Sequence, residues 1–180
     1  GLSSAQKVKS RTEWQAARAS AVEAEGLRQA AYQTIFSGEA SPYEQLRGVE
    51  PRLRWAREAK DPVVAELFRR NAQDNFSRWS FGFSARQFMF QDLSDAALDL
   101  YDAKIQQETC LVDESNRAWL KAAIAKRGWF RNSDDGSQAS NAAFNMLQHA
   151  DDDVTFQQAM LSVLEKELAA KEVSPSNYAY

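Results

Sequence analysis

An all-α fold follows from three features of this sequence, and the expected form is a single compact bundle of about six or seven helices. Helix-favouring Ala, Gln, Glu, Leu and Arg are abundant, against seven Gly and four Pro in 180 residues. Apolar residues recur at steps of three and four over long stretches, the period of one helix face. The few Gly, Pro and Asp-Pro signals fall where those stretches begin and end. With 44% apolar residues the chain is globular rather than disordered. Its length suits one domain over 1–180, with N-terminal helices in 1–92 and motif-bearing helices in 93–180.

The first helix is expected over Ala5–Phe36, with Trp14, Ala17, Ala21, Ala24, Leu27 or Arg28, Ala31 and Ile35 on its inner face. "SGEASP", Ser37 to Pro42, stops it. Pro51 suits the first turn of a short helix. At Asp61-Pro62 an aspartate cap precedes a proline in the first turn of the next. From there Val64, Phe68, Ala72, Phe76, Trp79 and Phe83 form an aromatic stripe read as core. "RWSFGFS" also alternates like a strand, with Trp79, Phe81 and Phe83 on one side and Gly82 as a break.

Ser94 opens a further pattern, with Asp95 and Asp99 near its start, Lys126 and Arg127 near its end, and Gly128 as a stop. It reads as one long helix or two meeting near Asp113. "GWFRNSDDGS" reads as a loop. The following helix places Ala139, Ala142, Ala143, Met146 and Leu147 on one face, and the next does the same with Met160, Leu161, Leu164 and Leu168. Ser174-Pro175 begins a last turn.

Charge and cysteine usage limit the functions available. Net charge is −3, although residues 1–90 carry 14 Lys/Arg and 10 Asp/Glu, and residues 91–180 carry 8 and 15. The basic strip Arg47, Arg52, Arg54 and Arg57 lacks the glycines and exposed aromatics of a nucleic-acid module and reads as a solvated helix face, so no nucleic-acid partner is expected. Cys110 is the only cysteine, which excludes an intrachain disulfide, a thiol metal cluster and a CxxC pair; it reads as a small buried apolar residue. No run approaches the roughly 18 apolar residues of a membrane span, so no transmembrane segment is expected. Ser3-Ser4-Ala5 has the small residues of a secretory cleavage site without its apolar core. A periplasmic or secreted protein is the expectation, with the cytoplasm as the alternative.

The stretch "QHADDDVTFQQ", Gln148 to Gln158, holds the only histidine of the chain. A helix end, a turn and a helix start explain much of it. His149 suits the negative end of one helix, and Asp152 or Asp153 can cap the next. One cap uses one aspartate, however, and Gln157 falls on the apolar face that continues through Leu161, Leu164 and Leu168. An inward glutamine needs partners, because an unsatisfied amide costs ~1–3 kcal/mol.

Known chemical signatures fit this corner poorly. "DDDVTF" lacks the glycine and distant glutamate of an EF-hand loop. One His with carboxylates is thin for zinc, and the paired Glu-x-x-His of a di-iron bundle is absent, so no metal and no cofactor is expected. No nucleophile elbow occurs. A histidine base oriented by an aspartate is compatible with the residues.

"DESNRAWLKAAIAKRGWF", "QHADDDVTFQ" and "VSPSNYAY" together resemble an uncharacterised bacterial domain-of-unknown-function family. Its pattern runs D-x-x-N-x-x-x-L, a G-W-P turn, and Q-H-A-D-x-D-x-x-F-Q. The matching residues are Asp113, Asn116, Leu120, Gly128, Trp129, Gln148, His149, Ala150, Asp151, Asp153, Phe156 and Gln157. The likeness covers only the C-terminal part of the chain. Phe130 stands where the pattern has proline, so the turn after Trp129 is expected to differ. The sequence ends at Tyr180, before the Asp-Arg and Gly-Thr-Gln of the pattern's tail, A-Y-L-x-D-R-V continuing to Q-x-Y-G-T-Q. The resemblance implies that the polar corner is shared and that relatives are exported; it implies no reaction.

Three functions are compatible with these observations. The first is a binding module for a small polar ligand or a protein, its pocket formed by Trp129, Gln148, His149, Asp151, Asp153 and Gln157. The second is a hydrolase with His149 as general base, oriented by Asp151 or Asp153. The third is an interaction domain with no pocket chemistry, its interface on the stripe from Phe68 to Phe83. An enzyme predicts His149 beside a carboxylate at an open cleft, and a structural corner predicts it packed and closed.

Overall fold

The computed structural model describes residues 4–37, 49–79 and 92–178. Among them are eight helices and no strand: α1 (Ser4–Ser37), α2 (Val49–Glu58), α3 (Pro62–Trp79), α4 (Asp95–Arg127), α5 (Asn132–Asp135), α6 (Ser137–Gln148), α7 (Val154–Ala169) and α8 (Pro175–Tyr178). The all-α expectation holds; six of the helices are ten residues or longer and two are single turns. None of the described helices is long and apolar enough to cross a membrane.

The helix ends follow local chemistry. Asp61 Oδ1 accepts the Val63 N–H at 2.7 Å, capping α3 ahead of Pro62. Ser94 Oγ accepts the Ala97 N–H at 3.3 Å at the start of α4. That helix is continuous through Asp113 and stops at Gly128, whose φ of +80° is costly for a residue with a Cβ. The segment read as a loop contains the single turn α5, closed by Gly136 at φ +85°. The N–H of Asn132 donates to the Glu172 carbonyl at 3.0 Å, and the Ser133 N–H donates to the Glu172 carboxylate at 2.8 Å. The carboxyl of Glu172 is held below its usual range by those Ser133 hydrogen bonds, against its own partial burial, with help from the Arg131 charge. Residues 80–91, which include Phe81, Gly82 and Phe83, lie outside the described residues, as do Arg47 and the stop signal at 38–42.

Two compact units divide the chain. Unit 1 comprises Gly1–Leu46 and Phe76–Thr109. Ala21 and Ala24 of α1 pack with Tyr101 and Ile105 of α4, small residues admitting large ones. The rings of Tyr32 and Phe36 stack at 4.4 Å, and Phe76 meets both edge-on at 5.6 and 6.3 Å. At the position left open between Leu27 and Arg28, Arg28 is the buried residue and Leu27 is 52% exposed. The reason is charge pairing: Arg28 donates to both oxygens of buried Glu25, at 3.0 and 3.1 Å, and to Glu108. Trp14, expected inside, is also exposed.

Unit 2 comprises Arg47–Asn75 and Cys110–Tyr180. Its core takes Val64, Leu67 and Phe68 from α3, Leu120 and Ala123 from α4, and Phe130 with the inner face of α6. The predicted α6 face is buried in full; on α7 Leu164 is buried but Leu161 is 53% exposed. Cys110 is exposed, correcting the expectation of burial. The inner line of α4 runs through Ile105, Thr109, Asn116 and Leu120, which turns Cys110 and Leu111 to solvent. Arg70 lies over Trp119 at 5.3 Å and reaches Ser115 and Asn116, so this part of α3 lies against this part of α4.

Candidate polar site on unit 2

The corner between α6 and α7 is tightly hydrogen-bonded. A helix ends with carbonyls that lack partners, and Gln157 supplies them here. Its Nε2 donates to the carbonyls of Leu147 (3.1 Å) and Gln148 (3.2 Å), and to Asp151 Oδ1 at 3.4 Å. That is the physical reason for an inward glutamine on α7. Asp153 Oδ1 accepts the Phe156 N–H at 3.0 Å as the cap of α7, and Oδ2 accepts from Lys121 at 2.8 Å. The Lys121 and Phe156 hydrogen bonds, with the Lys121 and Arg117 charges, hold the Asp153 carboxyl below the usual range against a small opposing effect of burial. Asp152 pairs with Arg117.

The six residues of the expected pocket separate into four places. Gln148, Asp151 and Gln157 line a groove of about 360 Å³ together with Phe144, Leu147, Val154, Leu161 and Asn177. Trp129 is buried, its indole N–H donating to Ser140 Oγ at 3.4 Å. Asp153 belongs to the α7 cap. His149 does not line the groove; its Nδ1 lies 3.0 Å from Oδ1 of Asp74 on α3.

A different polar cluster therefore centres on His149. Its side chain is 30% exposed, whereas that of Asp74 is 1% exposed. Asp113 of α4 joins them: one ligand-type atom from each of Asp74, Asp113 and His149 lies within 4.8 Å of the others. A carboxylate accepts and does not donate, so the contact assigns the hydrogen to Nδ1 and puts the acceptor lone pair of the neutral ring on Nε2. One helical turn from each aspartate stands a buried asparagine, Asn71 before Asp74 and Asn116 after Asp113. The Asn71 side-chain oxygen accepts from Arg52 Nε, and that of Asn116 from Arg70 at 3.4 Å. The Arg52 guanidinium is shifted below its ordinary pKa by burial, against the favourable charge of Asp74.

Asp74 was not legible as a site residue, because it sits inside the aromatic stripe of α3 and is 75 positions from its partner. The available signal was two polar residues, Asn71 and Asp74, at a three-residue step beside the buried Ala72 and Phe76. Asp113 and Asn116 were singled out only by the family resemblance.

No curated protein and no solved structure matches the chain. Residues 81–178 match a family of unknown function, DUF6624, over more than half of the chain. The match includes Asp113, Asn116 and His149 but not Asn71 or Asp74, and it agrees with the resemblance to an uncharacterised family over the C-terminal part. With that span matched, the chain belongs to the DUF6624 family of unknown function.

Proposed function

We propose that the protein is a ligand-binding helical module whose site is the polar face formed by Asp74, Asp113 and His149. The observation that carries this reading is the pairing of a nearly buried carboxylate with an imidazole that reaches solvent, at 3.0 Å. Placing a carboxylate inside a helical core costs several kcal/mol unless charge and hydrogen bonds compensate. A histidine held by such a group is oriented, and its ring is partly open to solvent. A packed structural corner would bury the ring.

The same contact favours a second reading, a hydrolase in which His149 is the general base. In that reading Asp74, rather than Asp151 or Asp153, orients the ring. The buried partner fixes the tautomer, as a base oriented by a third group requires.

A thermal-shift screen tests the first reading. The whole chain and its His149→Gln variant are compared against small carboxylates, phosphates, nucleotides, amino acids and sugars. A ligand at 100 times its Kd adds about 2.7 kcal/mol of stability. The expected result is a compound that shifts the wild type and not the variant. Shifts of equal size in both proteins count against this face as the site.

A further inference from the structure

We propose that the Asp74–Asp113–His149 face binds one divalent transition cation, with Zn²⁺ and Mn²⁺ as the fitting ions. The inference rests on the reading of that face as a ligand site and names the class of ligand.

Geometry is the first support. Three ligand-type atoms lie within 4.8 Å of one another. Bonds of about 2.0–2.2 Å to a common ion place ligand atoms roughly 3–4.4 Å apart, so only a small closure is required. Chemistry is the second. Ligation through Nδ1, the nitrogen that faces Asp74, replaces its hydrogen bond to that carboxylate and moves the ring hydrogen to Nε2. One imidazole nitrogen with two carboxylate oxygens then suits Zn²⁺ or Mn²⁺ better than Ca²⁺ or Mg²⁺, which favour all-oxygen shells. Three protein ligands also leave a coordination position for water or a substrate atom, as in catalytic rather than structural zinc sites.

The third support comes from neighbouring amides. Asn71 is 1% exposed and Asn116 is 3% exposed, and the Nδ2 of each has no hydrogen-bond partner. Arg52 and Arg70 engage the amide oxygens, which fixes the NH₂ groups as the unsatisfied ends. A buried donor left unmet costs about 1–3 kcal/mol, so two such donors are a sizeable deficit. Each stands one helical turn from an aspartate of the trio, on the same helix face. A carboxylate that ligates a cation through one oxygen keeps its other oxygen as an acceptor, the kind of group these two donors lack. Outer hydrogen bonds of that kind are the usual support of a metal site.

The test is equilibrium dialysis of the untagged, chelator-treated chain against ZnCl₂ or MnCl₂, with elemental analysis and a thermal-shift readout. The chain has one histidine and one cysteine, so competing surface sites are few. One ion per chain is expected. Asp113→Asn and His149→Gln are each expected to lose at least about tenfold in affinity, and Cys110→Ser, which removes an exposed thiol, to lose none. Far-UV circular dichroism verifies folding. Should either ligand variant fail to fold, Asn116→Leu replaces it, with a smaller loss of affinity expected. The cation assignment is overturned if the wild type takes up no ion. It is overturned equally if uptake survives the cluster variants or disappears in Cys110→Ser. No ion uptake together with a His149-dependent shift by a small molecule removes the cation and leaves the ligand-site reading standing. Neither response removes both.

Discussion

Unit 1 and unit 2 each place charge inside helical packing, but they close it off differently. In unit 1, Arg28 bridges Glu25 and Glu108, and Gln29 adds hydrogen bonds to both carboxylates. The Glu25 carboxyl, which burial pushes up, ends below its ordinary range because the Arg28 and Gln29 hydrogen bonds and the Arg28 and Lys104 charges outweigh burial. In unit 2, two aspartates and a histidine gather beside asparagine amides whose N–H₂ groups find no acceptor. One cluster is complete with protein groups alone; the other has donors to spare. Buried charge in the first is structural, and the surplus in the second is the physical reason to look for a ligand there.

The sharpest way to break this comparison is Arg28→Met. It strands Glu25, whose side chain is 7% exposed, and removing one partner of a buried pair typically costs about 3–5 kcal/mol. Urea unfolding is expected to show that loss, and a change under about 1 kcal/mol would mean the network is not holding unit 1. The acid limb of stability gives a second, smaller effect. Because the folded Glu25 pKa is depressed, its contribution is in full force above the ordinary carboxylate range. It is lost as pH falls through the lower folded value. Thermal melts of the wild type below about pH 4 are expected to fall more steeply than those of Arg28→Met, and parallel profiles would refute this.

Within unit 2, Gln157→Ala removes the donor for the Leu147 and Gln148 carbonyls. The expected cost is about 1–2 kcal/mol in chemical unfolding, since those carbonyls recover only part of their bonding from water. Asn116→Leu has the smallest expected effect on stability, within about 1 kcal/mol of wild type in chelator, because its NH₂ is already unsatisfied and its oxygen accepts only a long 3.4 Å hydrogen bond from Arg70. A loss above about 2 kcal/mol would show that this amide is satisfied in solution and would erase the contrast between the units.

Much of the fold was readable in the sequence. Asp61-Pro62, Ser94, Gly128 and Asp153 act where their residue types suggested, because caps and stops depend on atoms within four positions along the chain. The errors also have physical causes. Leu27 and Cys110 look apolar enough for a core, but the rotation of α1 and α4 is set by the whole inner line. On α1 an ion pair outweighed a leucine for the inner place.

What the sequence by itself determined is the long helices, several of their ends and the inward glutamine at the α6–α7 corner. All of these arise from interactions between near neighbours, whose geometry the helix itself fixes. What only the tertiary structure decided is that His149 leaves Gln148 and Gln157 and meets Asp74 and Asp113 instead. Those residues come from three helices, and their convergence depends on how each helix is turned about its axis against the others. No spacing in a linear chain encodes that rotation, which the shared packing of many side chains selects.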